Sequence, residues 1–242
     1  MWSTGCRFNT YQHDFVSGPY GKYRLVYDLI PLESRVLELG CSGGYFSEHL
    51  LQTKRCWVTG FDNDREAIER CRAKGIQAFD LDLGSLLEAD SLMAELGPFD
   101  RILAMDVLEH LVDPPNLLLR LHRHMHARSR LIVTGPNVAY WRTRWDLLCG
   151  RWKYDNAGIM DETHLRWYTR SSWRAMLQQA GFEVEIDRVA EALIPKEFLL
   201  RRVCKGLVVD LLKWPLQYLF PNLFAVVFLF TCRSRRPGCR PE

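Results

Sequence analysis

From Arg35 onward the chain alternates short apolar runs with amphipathic stretches. The runs are Val36–Leu39, Trp57–Phe61, Ile76–Leu81, Arg101–Met105 and Leu131–Thr134. Each is a short β-branched or aliphatic run of the kind that forms a strand. Between them, Tyr45–Gln52, Arg65–Lys74, Leu86–Leu96 and Asn116–His126 carry the spacing of helices that bury one stripe. Strand, helix and strand in repeated order predict βαβ units feeding a largely parallel sheet. The punctuation agrees at the helix from Arg65, where Asp64 is placed to cap its start and Lys74–Gly75 to end it with a basic turn and a left-handed residue.

After the fifth run the rhythm breaks. Residues 140–169 are rich in Trp, Tyr and Arg without a clean period, which predicts an inserted loop or lid. The pattern then resumes, with a helix over Ser171–Ala180 closed by Gly181, an alternating strand at Phe182–Ile186, and an amphipathic helix at Glu197–Lys213 inside a helical insertion over 191–220. A last strand, Phe224–Phe230, follows. The domain plan is therefore one domain over 1–232, with 1–30 as an N-terminal cap segment and 233–242 as a basic flexible tail.

Composition narrows the class without naming a partner. The chain has 242 residues, 48% hydrophobic and 25% charged, which suits a single globular α/β domain. A net charge of +3 is too small to require an anionic partner, although basic residues cluster at Arg120–Arg130, Arg142–Lys153 and Arg233–Arg240. The eight cysteines are scattered, with neither CxxC nor Cys/His ligand spacing, so reduced thiols in the cytoplasm are expected and no metal. The first twenty residues do not read as a secretory signal, and the longest apolar run, Leu223–Phe230, is too short to span a bilayer.

Candidate chemistry begins where the first strand meets its helix. In V-L-E-L-G-C-S-G-G-Y-F, small residues at Gly40, Ser42, Gly43 and Gly44 let backbone approach a ligand closely, at the place where open α/β sheets bind nucleotides. A tight turn in any α/β protein also uses glycine for geometry alone. Asp62, roughly twenty residues on and just past the second strand, suits a ribose diol. A dinucleotide enzyme would share that acid, yet the glycines do not follow G-x-G-x-x-G. Glu38, moreover, would repel a pyrophosphate and attract an ammonium group.

The segment E-L-G-C-S-G-G at Glu38–Gly44 resembles motif I of class I S-adenosylmethionine-dependent methyltransferases, with Ser42 in place of the middle glycine. G-F-D-N-D at Gly60–Asp64 resembles their ribose-binding strand end, and A-F-D-L-D-L at Ala78–Leu83 their third motif. F-D-R-I-L-A-M-D-V-L-E-H-L at Phe99–Leu111 resembles the fourth motif of the subgroup that contains the ubiquinone-pathway O-methyltransferases and the methionine-biosynthesis W-type proteins. The resemblance covers roughly Tyr20 to Gly181. It implies a Rossmann-like seven-stranded sheet, mostly parallel with an antiparallel last strand, helices on both faces and a lid after the fifth strand. It also implies S-adenosylmethionine as cofactor and S-adenosylhomocysteine as product. The implied cofactor residues are Glu38, Gly40, Cys41, Ser42, Gly44, Tyr45, Asp62, Asn63, Asp82, Leu83, Met105 and Asp106, with Asp82 rather than Asp80 reading the adenine amino group.

Methyl transfer from a sulfonium needs alignment and exclusion of water more than it needs activation. A hydroxyl acceptor also needs its proton removed. His110, at the end of the fourth strand, and His164, in D-E-T-H-L-R-W-Y-T, are the two candidate bases. Asp106 and Glu109 are placed either to orient the acceptor or to cap the next helix. Trp141, Arg144 and Trp145, with Trp167 and Tyr168, are the candidate acceptor-binding residues of the lid. The expected acceptor is a small molecule or a glycan- or lipid-linked hydroxyl, with peripheral membrane contact through 197–220, and the protein a monomer or homodimer. An RNA methyltransferase and a non-catalytic cofactor-binding scaffold are the competing readings. Nucleic acid is disfavoured because no RNA-binding module and no N-P-P-Y-type fourth motif is present.

Overall fold

Seven strands form one sheet in the order β3-β2-β1-β4-β5-β7-β6. They are β1 (Arg35–Leu39), β2 (Trp57–Asp62), β3 (Gln77–Asp80), β4 (Phe99–Met105), β5 (Met125–Pro136), β6 (Phe182–Ala192) and β7 (Ala225–Ser234). The computed structural model describes residues 21–193, 215–216 and 218–235. The first five strands pair in parallel, and β7 lies antiparallel between β5 and β6. This is the expected mostly parallel sheet with an antiparallel last strand.

The helices are α1 (Lys22–Asp28), α2 (Tyr45–Lys54), α3 (Arg65–Ala73), α4 (Leu86–Leu96), α5 (Pro114–Leu121), α6 (Trp141–Leu148), α7 (Arg170–Gln179) and α8 (Pro221–Phe224). Successive strand residues point to opposite faces, so each strand feeds two cores. Leu37, Leu39, Ile102 and Val133 pack with Ala89 and Met93 of α4, Leu117 and Leu121 of α5, and Trp173 of α7. Val36, Val58, Leu103 and Ile132 pack with Val26 of α1 and Phe46 and Leu50 of α2, while Ile68 and Cys71 of α3 close over Ala78. Both faces of the sheet are thus covered at its centre, where Leu37, Leu39, Leu103 and Val133 are fully buried.

The capping signals act as the sequence indicates. The Asp64 carboxylate accepts from the backbone N–H of Glu66 and Ala67, and Gly75 adopts φ +77° just beyond the end of α3. There Gly75 N–H reaches Arg72 O and Ile76 N–H reaches Cys71 O, a Schellman closure.

Several boundaries are corrected. The helix expected over Asn116–His126 ends at Leu121, passes through a single 3-10 turn at His122–His124, and gives way at Met125 to a β5 that begins six residues before the expected Leu131. Its cap is Asp113, whose carboxylate accepts from Asn116 N–H at 3.3 Å, rather than Asp106 or Glu109. Pro114 and Pro115 set the start, since proline is tolerated only in the first helical turn. The strand expected at Phe182–Ile186 runs on to Ala192, paired along β7. Within 140–169 the chain forms α6 and then irregular backbone. The helix expected at Glu197–Lys213, residues 1–20 of the cap segment and 236–242 of the tail lie outside the described residues. Among those described, no helix is long and apolar enough to cross a membrane.

Candidate active site

The strand order reverses between β1 and β4, so the carboxyl ends of these two strands open a crevice at the switch point of the sheet. Four loops meet there. The first is the glycine-rich turn, which two left-handed residues make sharp. Gly40 sits at φ +69° and Gly44 at φ +70°. A Cβ on Gly44 would lie 2.6 Å from Ile76 Cδ1 and 2.8 Å from Cys71 Sγ, and one on Gly40 2.6 Å from Val107 Cγ2. A side chain at either position would be strained by the left-handed backbone and would force Ile76 and Cys71, or Val107, to shift. Ser42, where the motif has glycine, also holds positive φ, at +48°.

Asp62 ties the second loop to the first. One carboxylate oxygen accepts from the backbone N–H of Ser42 at 2.7 Å and the other from that of Asp64 at 3.0 Å. Burial pushes its pKa up while these N–H groups pull it back. Glu38, only 3% exposed, lies beneath the turn and accepts from Ser47 Oγ on the first turn of α2. Burial raises its pKa to about 8, and the Ser47 bond offsets part of that rise. In the third loop, beyond β3, Asp82 is exposed and Leu83 buried, and the Asp82 carboxylate accepts from Gly84 N–H at 2.8 Å. Cys41 is buried against Cys71, with Sγ atoms 3.9 Å apart, and both thiols are free. Asn63 lies in the bend after β2, and Tyr45 begins α2, with its hydroxyl bonded to that of Tyr23.

The fourth loop leaves β4 through Met105 and Asp106, and Asp106 stands in the left-handed region at φ +54°. Its carboxylate accepts from Thr134 Oγ1 at 2.9 Å and forms an ion pair with Lys22 of α1. Burial works against the Lys22 charge, yet the surrounding groups, Asp106 foremost with Tyr23 and Glu191, together hold the ammonium well above its usual range. Sequence reasoning missed Lys22, because a lone lysine in an N-terminal segment with no motif carries no signal.

A single turn at Leu108–His110 follows. The backbone of Glu109 accepts from Leu165 N–H at 2.9 Å and Arg166 N–H at 3.1 Å, which pins the segment after α6 against the turn. In consequence His110 and His164, 54 positions apart in sequence, stand with ring centroids 4.7 Å apart. Asp161 accepts from Thr163 Oγ1 at 2.6 Å, and that hydroxyl lies 3.0 Å from His110 Nδ1. His164 Nδ1 lies 3.1 Å from the carbonyl of Ile159, and burial together with His110 lowers its pKa. Glu109 is fully buried, and among the described residues neither carboxyl oxygen has a hydrogen-bond partner from another residue. Burial and the nearby Asp106 raise its pKa well above the usual range.

The aromatic residues of 140–169 separate into two groups. Trp141, Arg144 and Trp145 line a shallow apolar pocket with Leu148 on α6. Trp167 instead packs with Trp152 and Tyr154, and Tyr168 with Trp173. The single pocket expected from these five residues is divided in this way, because Tyr168 is drawn into the core by α7.

A methyltransferase-domain family model matches residues 19–185, more than half of the chain. The chain belongs to this family. The class I S-adenosylmethionine-dependent motifs read in the sequence lie inside the matched span. Over 110 residues it is 33% identical to the ubiquinone biosynthesis O-methyltransferase of Xylella fastidiosa, covering 45% of this chain and 44% of the relative. To the protein of the same description from Neisseria meningitidis it is 26% identical over 108 residues, 39% of this chain and 45% of the relative. The chain thus spans less than half the length of the curated relatives it matches. Solved structures share the fold. An Archaeoglobus fulgidus SAM-dependent methyltransferase superposes with a TM-score of 0.57 at 18% identity, over 88% of this chain and 92% of that one. A possible histamine N-methyltransferase from Thermotoga maritima gives 0.58 at 15%, over 89% and 88%.

The residues present suit this cofactor. A turn made tight at Gly40 and Gly44 brings backbone to the crevice, and each Asp62 oxygen, holding one N–H, keeps acceptor capacity for a diol.

Proposed function

We propose that the chain methylates a hydroxyl oxygen on a small-molecule or glycan- or lipid-linked acceptor, with His110 and His164 as the groups that activate it. S-adenosylmethionine supplies a methyl group already activated on a sulfonium. The backbone of Gly40–Gly44 lines its amino-acid end, with Cys41 and Tyr45 as neighbours and Glu38 beneath the ammonium, which favours the ionised form of that carboxyl. Asp62 takes the ribose hydroxyls beside Asn63, Asp82 the adenine amino group beside Leu83, and Met105 and Asp106 border the methyl end.

One observation carries the acceptor half. Two histidines from distant segments meet at the β4 end of the crevice, 4.7 Å apart, with both Nδ1 atoms engaged by protein acceptors. A histidine whose Nδ1–H is so held keeps its Nε2 lone pair for a proton. The ubiquinone biosynthesis relatives are O-methyltransferases, which supports a hydroxyl acceptor. Exposed Trp145, Leu148, Tyr218 and Leu219 supply apolar surface that suits a lipid-linked one. Labelled-donor assays against small-molecule, glycolipid and RNA pools test the reading. Product is expected in one of the first two pools, and turnover with saturating acceptor should fall about 100-fold or more in His110→Ala or His164→Ala. Near-normal turnover in both variants, or transfer to RNA alone, rejects the assignment.

A further inference from the structure

Glu109 poses an electrostatic problem that methyl transfer does not solve. Its carboxyl is fully buried and, among the described residues, neither oxygen meets a partner from another residue. Protonation alone does not remove the problem, since a neutral carboxyl still buries a donor and an acceptor. Lys22, the ammonium on this side of the crevice, is committed to Asp106. What the carboxyl does face is a pair of imidazoles. One ligand atom each from Glu109, His110 and His164 lie within 4.8 Å of one another.

We propose that Glu109, His110 and His164 bind a divalent transition-metal cation of the zinc type, leaving an open position for the acceptor oxygen. Two imidazoles and one carboxylate are a donor set that suits such a cation better than magnesium or calcium, which prefer oxygen ligands. The surroundings are those of metal-binding histidines. His164 Nδ1–H points to the carbonyl of Ile159 at 3.1 Å. Thr163 Oγ1 gives its proton to Asp161 and so receives from His110 Nδ1–H at 3.0 Å. Both rings thereby keep Nε2 lone pairs unprotonated. Zinc–ligand bonds of about 2.0–2.2 Å set donor atoms roughly 3.3–3.6 Å apart, so small side-chain rotations close the site.

The catalytic consequence rests on the hydroxyl-acceptor reading, whereas the binding site does not. A hydroxyl on the open position loses its proton to solvent more readily, because the cation stabilises the oxyanion. That oxygen then forms the new C–O bond as the donor's C–S bond breaks and its electron pair returns to sulfur. The histidines then act through the cation rather than as free bases.

The test needs no acceptor. Chelator-treated full-length protein is titrated with Zn²⁺, and with Mg²⁺ as control, by calorimetry and thermal melting. One equivalent of Zn²⁺ is expected to bind and raise the Tm, with affinity at least 100-fold above that for Mg²⁺. His110→Ala, His164→Ala and Glu109→Gln should each weaken Zn²⁺ binding at least 100-fold. In Glu109→Leu, which removes the unpartnered carboxyl, the metal-free Tm should equal or exceed that of wild type, and this variant controls for folding. No stoichiometric binding, or binding that these variants leave unchanged, overturns the site. Cation binding without transfer to any hydroxyl acceptor rejects the proposed function and leaves the site standing. Transfer that chelation does not affect, with no cation bound, does the reverse.

Discussion

Two glutamates are buried at the carboxyl ends of adjacent strands, and they are treated differently. Glu38, in β1, has a hydroxyl from Ser47 and sits beneath a turn whose neighbouring acid, Asp62, is tied to backbone N–H groups on both oxygens. Glu109, just past β4, has no hydroxyl or N–H from another described residue on its carboxyl. The donor side of the crevice is therefore internally satisfied before any ligand arrives, and the acceptor side is not. A site that must hold one invariant cofactor can be finished by the protein's own hydrogen bonds. A buried acid left unfinished marks a group completed by something from outside.

If the donor side is rigid because it is close-packed, one methyl group should break it. Gly44→Ala places a Cβ 2.6 Å from Ile76 Cδ1 on a residue at φ +70°. Left-handed strain of about 1–2 kcal/mol joins overpacking of about 1–3 kcal/mol. A loss near 2–5 kcal/mol is expected in denaturant melts, together with loss of S-adenosylhomocysteine binding by calorimetry. Gly75→Ala separates the two contributions. It has φ +77° but nothing within 4 Å of the new Cβ, so only the strain should appear. Equal losses at the two positions would show that the turn is not packed as described.

The second way to sharpen the contrast is pH. Glu38 titrates near 8 in the folded protein and near the ordinary carboxyl value when unfolded, so between these the native state holds the extra proton. The contribution is fully present below about 4.5. It is lost as pH rises through about 8, at up to about 1.4 kcal/mol per unit. Melts of ligand-free protein at pH 5–9 should show that decline, and Glu38→Gln should flatten it. The Tm rise given by saturating S-adenosylhomocysteine should grow over the same interval, because an ammonium favours the ionised carboxylate. An unchanged pH profile in Glu38→Gln would remove Glu38 from the account.

The contrast also explains how much of the molecule was legible in the chain. Strands β1 to β4, the cap at Asp64 and the glycine turn rest on local signals: alternation, a capping acid, and residues without side chains. The donor side is built from contiguous motifs at consecutive strand ends, so the sequence displays it. The acceptor side is assembled by tertiary contacts. His110 and His164 could each be singled out, but their meeting depends on the Leu165 and Arg166 N–H groups binding the Glu109 carbonyl, which no periodicity encodes. The cluster with Glu109 was likewise invisible to ligand spacing, because its members are one residue and 54 residues apart. Helix α5 was misjudged because His122–His126 keeps a helical composition while Met125 is captured by β4. Tertiary pairing there overrides local preference.

The smallest expected effect concerns which acid beyond β3 reads the adenine. Asp80 ends β3 in register with Asp62, and Asp82 lies in the following turn; both are exposed. Asp82 is held by the Gly84 N–H at 2.8 Å, and its backbone carbonyl accepts from Ser85 N–H at 2.8 Å, so its side chain is already oriented. An oriented acceptor loses little entropy on binding, whereas a free surface carboxylate must be immobilised first. Exposure limits the gain to that of one ordinary hydrogen bond, about 0.5–1.5 kcal/mol, or roughly 2–10-fold in affinity. Asp82→Ala should therefore weaken S-adenosylhomocysteine binding by that factor in calorimetry, while Asp80→Ala stays within about twofold. A larger loss in Asp80→Ala would move the adenine contact onto the strand itself and shift the donor side's third anchor by two residues.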